Sequence, residues 1–126
     1  MHSSILVVDD EEMIRRVAAR MLSLHGFGVL EAGNGSEALE VLDRIAAKVG
    51  LVVTDVAMPV LDGRALGEEI ARRWPHLPVL YMSGYAPDEQ LVANVVDAKV
   101  PFLPKPFTAD VLMQRVRLLT GDADEH

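Results

Sequence analysis

Ile5-Leu6-Val7-Val8-Asp9-Asp10-Glu11 is the stretch that decides the fold: a continuous apolar run that ends abruptly in three acids. Nearly continuous apolar residues mark a strand buried on both faces, the condition of a parallel strand with helices above and below it. Four further runs share this character: Gly28 to Glu31, Leu51 to Thr54, Val79 to Met82 and Val100 to Leu103. Segments of helical period separate them. The resulting βαβα alternation, five of each element, predicts an α/β domain with a parallel sheet covered on both faces.

The intervening helices can be placed by their apolar spacing. Ile14, Val17, Ala18, Met21 and Leu22 follow the i, i+3, i+4, i+7, i+8 pattern of a helix packed on one face, closed by Gly26 and Gly28. Asn34 with Glu37 three residues later is a capping-box start, and Ala38, Val41, Leu42 and Ile45 continue that second helix. A third runs from about Gly63 to Trp74 on Leu66 and Ile70, ended by Pro75 and Pro78. Leu91, Val92, Val95 and Val96 outline a fourth. The fifth starts at Thr108, a good N-cap, and uses Val111, Leu112, Val116 and Leu119.

Composition narrows the function classes. The chain has 126 residues, half of them apolar, enough for one well-buried core: residues 1–121 as a single domain and 122–126 as a disordered tail or linker stub. Net charge is −7, with no Lys/Arg run of the kind that tracks a phosphate backbone, so no direct nucleic-acid contact is expected. The absence of cysteine excludes a disulfide framework, a thiolate nucleophile and a Cys-based metal site, and fits a reducing cytoplasm. No apolar stretch approaches the roughly 20 residues that span a bilayer. The chain reads as soluble, unprocessed and cytoplasmic, without membrane contact.

Chemistry is expected where strands end, because ligands of open α/β sheets bind outside the carboxyl ends of the strands, where the strand order reverses. Asp9, Asp10 and Glu11 follow the first strand, Asp55 the third, Ser83 ends the fourth, and Lys105 follows the fifth. In the order 2-1-3-4-5 the first and third strands are neighbours, and Asp9, Asp10 and Asp55 converge in one crevice beside a lysine. Clustered carboxylates repel one another unless a cation sits among them. Mg²⁺ suits hard oxygen ligands and commonly binds one or two carboxylates plus a phosphate. Asp55 is then the candidate nucleophile, with the metal and Lys105 neutralising phosphoryl oxygens. Each residue also has a plainer reading: Asp10 as a helix N-cap, Ser83-Gly84 as turn chemistry, Lys105 between two prolines as a solvated charge. Their joint placement at the same ends of four strands is what those readings do not predict.

At these residues the chain resembles the receiver domains of response regulators, over residues 4 to 120. The resemblance is carried by Ile-Leu-Val-Val-Asp-Asp-Glu at 5–11, Glu-Ala-Gly-Asn-Gly-Ser-Glu-Ala-Leu at 31–39, Thr-Asp-Val-Ala-Met-Pro-Val-Leu-Asp-Gly at 54–63, Met-Ser-Gly-Tyr at 82–85 and Phe-Leu-Pro-Lys-Pro-Phe at 102–107. It implies a flavodoxin-like (βα)5 fold with a doubly wound five-stranded sheet. It further implies Mg²⁺ held directly by Asp10, through water by Asp9, and by Asp55 and the Ala57 carbonyl. Asp55 would be the phosphoacceptor, Ser83 and Lys105 would close on the phosphoryl group, and Phe102 would be an aromatic rotamer switch. The Lys105-Pro106 bond is expected to be cis.

The implied partners are a phosphohistidine on a sensor histidine kinase or phosphotransfer domain, and an output partner on the face of the fourth helix, fifth strand and fifth helix. A homodimer is a further expectation. Such a domain is a regulatory phosphoacceptor that promotes its own phosphorylation and dephosphorylation. Val79 to Ala86 resembles receivers carried by hybrid sensor histidine kinases; a stand-alone regulator is the alternative, ahead of an unphosphorylated interaction module. A haloacid-dehalogenase-type phosphatase ranks last, since it wants Asp-x-Asp where this chain has Asp9-Asp10-Glu11. Ala57, Tyr85 and Pro101 stand at positions that vary within the family. Ala57 offers no side chain to hold or exclude water, and Tyr85 is bulky, so the resemblance carries over no phosphoryl lifetime.

Overall fold

The computed structural model describes residues 4–84 and 102–120. Five strands, β1 (Ser4–Val8), β2 (Gly28–Ala32), β3 (Val49–Asp55), β4 (Val79–Ser83) and β5 (Phe102–Pro104), form one sheet in the order β2-β1-β3-β4-β5. Every pairing is parallel. The expected α/β architecture and strand order are therefore those observed. The helices are α1 (Glu12–Leu24), α2 (Gly35–Ile45), α3 (Gly63–Arg73) and a C-terminal helix, Ala109–Thr120. The helix expected on Leu91 to Val96, together with Tyr85, Val100, Pro101 and the tail 122–126, lies outside the described residues. Among the described residues no helix is long and apolar enough to cross a membrane.

The period of two in a strand divides the core between two layers. Ile5 and Val7 of β1, Leu51 and Val53 of β3, Leu80 and Met82 of β4 and Leu103 of β5 pack against Ala18 and Leu22 of α1 and Leu112, Met113 and Val116 of the C-terminal helix. The intervening Leu6, Val8 and Val52 turn the other way, onto Ala38 and Leu42 of α2 and Leu66 and Ile70 of α3. Fully burying one such side chain contributes about 1.5–3 kcal/mol, so the two layers dominate stability.

Local signals set the helix ends. After α1 the chain turns at Gly26 (φ +93°), with Gly26 N–H donating to Ser23 O (3.0 Å) and Phe27 N–H to Leu22 O (3.2 Å). This is a Schellman closure, and Phe27 packs against the same core as Leu22. Asn34 caps α2 by accepting from Glu37 N–H at 2.8 Å. The expected capping box is only half made: the Glu37 carboxylate reaches one residue further back, to Gly33 N–H, past the extended Asn34 backbone. Thr108 caps the C-terminal helix through Val111 N–H at 3.2 Å. One assignment fails in α1. The spacing puts Val17 on the packed stripe, yet it is 45% exposed, because Ala18, Ala19 and Leu22 take the sheet-facing arc and leave Val17 on its flank.

Candidate functional site

The β1→β2 and β3→β4 connections leave neighbouring strands toward opposite edges of the sheet, which opens a crevice at the carboxyl ends of β1 and β3. Asp9 stands directly beyond β1, and Asp55 is the last residue of β3. One ligand oxygen from each of Asp9, Asp10 and Asp55 falls within 4.8 Å of the others. Lys105, just beyond β5, reaches across β4 to both buried acids: Nζ lies 3.0 Å from Asp55 Oδ1 and 3.1 Å from Asp9 Oδ2. The Lys105-Pro106 bond is cis. Lys105 N–H donates to Ser83 O (3.0 Å), which fastens the lysine's backbone to the end of β4. Ser83 itself is buried at 2% exposure.

Adjacent and identical in sequence, Asp9 and Asp10 have opposite surroundings. Asp9 is fully buried, and its Oδ1 accepts from Glu11 N–H (2.9 Å) while Oδ2 faces Lys105. That removes Asp10 from the N-cap reading, since the α1 cap position is Glu11 and the turn there is held by Asp9. Asp10 is exposed, and among the described residues no side chain or backbone donor holds its carboxylate.

Burial pushes the Asp55 carboxyl from its ordinary 3.8 to about 6; the hydrogen bond and charge of Lys105 work against that rise, and the Asp9 and Asp10 charges add to it. For Lys105 burial opposes the charged form, yet the Asp55 and Asp9 carboxylates outweigh it and hold the ammonium above its usual range. Three carboxylates against one ammonium leave two formal negative charges uncompensated. A hard divalent cation matches that deficit and that donor set, and Asp10 offers it an unclaimed carboxylate. The residues present fit Mg²⁺.

The loop after Asp55 depends on residues that sequence reading did not single out for the site. Gly63, in the sequence a helix start and the last residue of the 54–63 motif, packs its backbone on the end of β3: a Cβ there would stand 2.0 Å from Asp55 O. Gly63 N–H donates to Val56 O at 2.8 Å, and Asp62 caps α3 by accepting from Ala65 N–H at 2.9 Å. Between them Leu61 N–H closes a three-residue turn on Pro59 O (2.8 Å) with Val60 at φ 72°, an uncommon conformation for a β-branched residue. Ala57 is exposed on this loop. Phe102 is half-buried directly opposite Tyr81, their ring centroids 6.0 Å apart and tilted by 44°. Tyr81 in turn occupies a notch in α3 that exists only because residue 67 is glycine; a Cβ there would meet the Tyr81 hydroxyl at 1.7 Å.

Residues 5–117 match the response regulator receiver domain family. The chain belongs to that family. Relatives of this receiver domain include the sensor kinase CckA of Brucella abortus (strain 2308), 38% identical over 97% of this chain, although the chain spans only 13% of that protein's length. Among solved structures, the receiver domain of NtrX from Brucella abortus superposes with a TM-score of 0.85 at 34% identity, covering 95% of this chain and 100% of that one. The receiver domain of the hybrid histidine kinase CckA gives 0.79 at 36% identity, covering 94% and 99%. A two-component receiver domain is thus the function class to which this acidic crevice belongs.

Proposed function

We propose that this receiver domain accepts a phosphoryl group on Asp55 from a phosphohistidine of a sensor histidine kinase or phosphotransfer domain. The observation that carries the reading is the placement of Asp55 at the end of β3, bonded to Lys105 and within 4.8 Å of two further carboxylates. Asp10, Asp55, Asp9 through water, and the Ala57 carbonyl would hold Mg²⁺, which supplies charge neutralisation on the phosphoryl oxygens. An ionised Asp55 oxygen attacks phosphorus; the new O–P bond forms as the P–N bond to the donor imidazole breaks, and the imidazole leaves with its electron pair and takes a proton. Lys105, kept cationic by Asp9 and Asp55, turns to the phosphoryl oxygens as their charge develops. Ser83 then donates its hydroxyl proton to one of them, a charge-assisted bond stronger than a neutral one.

A protein donor suits the surface beside the lysine. Met13 is 79% exposed, and with Ile14, Val17, Pro106 and Phe107 it lines an apolar cleft of about 360 Å³ that borders Lys105. A donor domain seated there brings its imidazole to Asp55. Likeness to CckA supports a place in a hybrid sensor kinase over a stand-alone regulator.

Acetyl phosphate with Mg²⁺ tests the chemistry. One phosphoryl group should appear on the protein, labile to hydroxylamine and mapping to Asp55, and Asp55→Asn should stay unlabelled. An acid-stable phosphate on Ser83 would contradict the assignment.

A further inference from the structure

Arg15 belongs to neither the apolar stripe of α1 nor the acidic crevice, yet its side chain is largely buried between them. Its Nη1 donates to Asp9 O at 2.9 Å and its Nε to Glu31 Oε1 at 2.9 Å. One planar guanidinium therefore joins the end of β1, the second turn of α1 and the end of β2. Arg16 also approaches Glu31, at 3.7 Å, and pairs with Glu12 at 3.0 Å, but it is mostly solvated.

We propose that Arg15, held by Glu31, is a positioning residue that aims the Asp10 carboxylate at the metal; this rests on the Mg²⁺ reading of the crevice. The Asp9 carbonyl lies in the peptide plane that enters Asp10 and Glu11 N–H in the plane that leaves it; with the first held by Arg15 and the second by Asp9 Oδ1, the Asp10 backbone is set, and with it the direction of its Cβ. All four polar groups of Asp9 are engaged: N–H with Ala32 O (3.2 Å), O with Arg15, Oδ1 with Glu11 N–H and Oδ2 with Lys105. Among the described residues the Asp10 carboxylate has no such partner of its own, and its aim comes from its neighbour. Glu31 serves a second purpose, since it offsets the guanidinium charge that would otherwise oppose a cation nearby.

The planar fork aims a separate donor at each acceptor, Nη1 at Asp9 O and Nε at Glu31 Oε1. Arg15→Met keeps the apolar stem and removes both bonds; Arg15→Lys keeps the charge but loses the fixed two-donor geometry; Glu31→Ala leaves the Asp9 bond but frees the guanidinium to swing. Groups that orient a ligand from behind typically change metal affinity by about 10–100-fold, and this one acts one bond further away. Mg²⁺ affinity, read by calorimetry, should weaken about fivefold to tenfold in Arg15→Met and about threefold in Arg15→Lys and Glu31→Ala. Acetyl-phosphate labelling at saturating Mg²⁺ should stay within about twofold of wild type, because Asp55 and Lys105 are untouched. A merely structural arginine would lower the melting temperature without moving the Mg²⁺ constant. That result in Arg15→Met, or in Glu31→Ala should Arg15→Met not fold, overturns the proposal. Wild type that binds Mg²⁺ but never labels Asp55 would sink the phosphoacceptor reading and leave this one standing.

Discussion

Asp55→Asn removes a charge that the fold holds at a cost, so the variant should be more stable than wild type at neutral pH in the absence of divalent cations. Burial lifts the Asp55 carboxyl from 3.8 to about 6, in spite of Lys105. Tenfold in proton affinity is about 1.4 kcal/mol, so the ionised carboxylate destabilises the folded state by about 3 kcal/mol. The new amide also needs burying, which brings the expected gain to about 1–3 kcal/mol. At about 4 °C per kcal/mol for a chain of this size, the melting temperature should rise by roughly 4–12 °C.

The pH dependence gives this prediction its sign. Because the folded state binds the Asp55 proton more tightly than the unfolded chain, the contribution of Asp55 to wild-type stability falls as pH rises from about 4 to about 6 and levels off above. The advantage of Asp55→Asn should therefore be full at pH 7.5, shrink through pH 6 to 4 and vanish below. Urea denaturation of both proteins in EDTA across pH 4–8 measures it. On the proposed reading Mg²⁺ should narrow the gap, since it would bind folded wild type and the variant would lack one ligand. A variant less stable than wild type at pH 7.5, or a gap constant with pH, would refute the argument that an uncompensated charge is stored at the end of β3.

Three other outcomes are expected. Asp10→Asn should weaken Mg²⁺ binding more than tenfold by calorimetry with little effect on the urea midpoint, because Asp10 is exposed and its carboxylate holds no hydrogen bond among the described residues. Gly67→Ala should destabilise the fold by about 1–3 kcal/mol, and adding Tyr81→Phe should restore much of that loss, since the clash is with the Tyr81 hydroxyl. With beryllofluoride on Asp55, Ser83 should close and Phe102 turn inward, burying the rest of a half-buried ring, worth about 1 kcal/mol; Tyr81 stands opposite Phe102 and must shift with it. A structure with Ser83 closed and both rings unmoved would show that the signal takes another route.

The strands and helices were legible because the evidence for them is periodic and local, whereas the strand order came with the family resemblance. Continuous apolar runs gave the buried strands, and a glycine or a polar cap stood at most helix ends. What failed did so for a physical reason. Val17 fits the i, i+3, i+4 pattern as well as Ala18 does, and only the direction of the sheet decides which of them is covered. Glycine inside a helix, as at Gly67, reads as a weakness; its use becomes visible only when Tyr81 from another strand fills the notch. Met113 completes the core from the C-terminal helix, a contribution that a sparse stripe of branched residues did not include.

Reading strand ends brought Asp9, Asp10, Asp55, Ser83 and Lys105 to one place, but it could not divide the labour among them. Asp9 and Asp10 are the same residue one position apart, and no local rule separates a carboxylate committed to Glu11 N–H and Lys105 from one left open to a cation. The division is made by partners distant in sequence: Lys105 lies 96 residues from Asp9, and Glu31 lies 16 from the Arg15 it anchors. Arg15 carries no signal in the chain, where a charged residue on an amphipathic helix reads as a solvated face. Its commitment follows from the parallel pairing of β1 with β2, which sets Ala32 beside Val8 and brings Glu31 to the same end of the sheet as Asp9. Hence the ligand types of this site can be read from strand ends, whereas their orientation rests on which strands are neighbours.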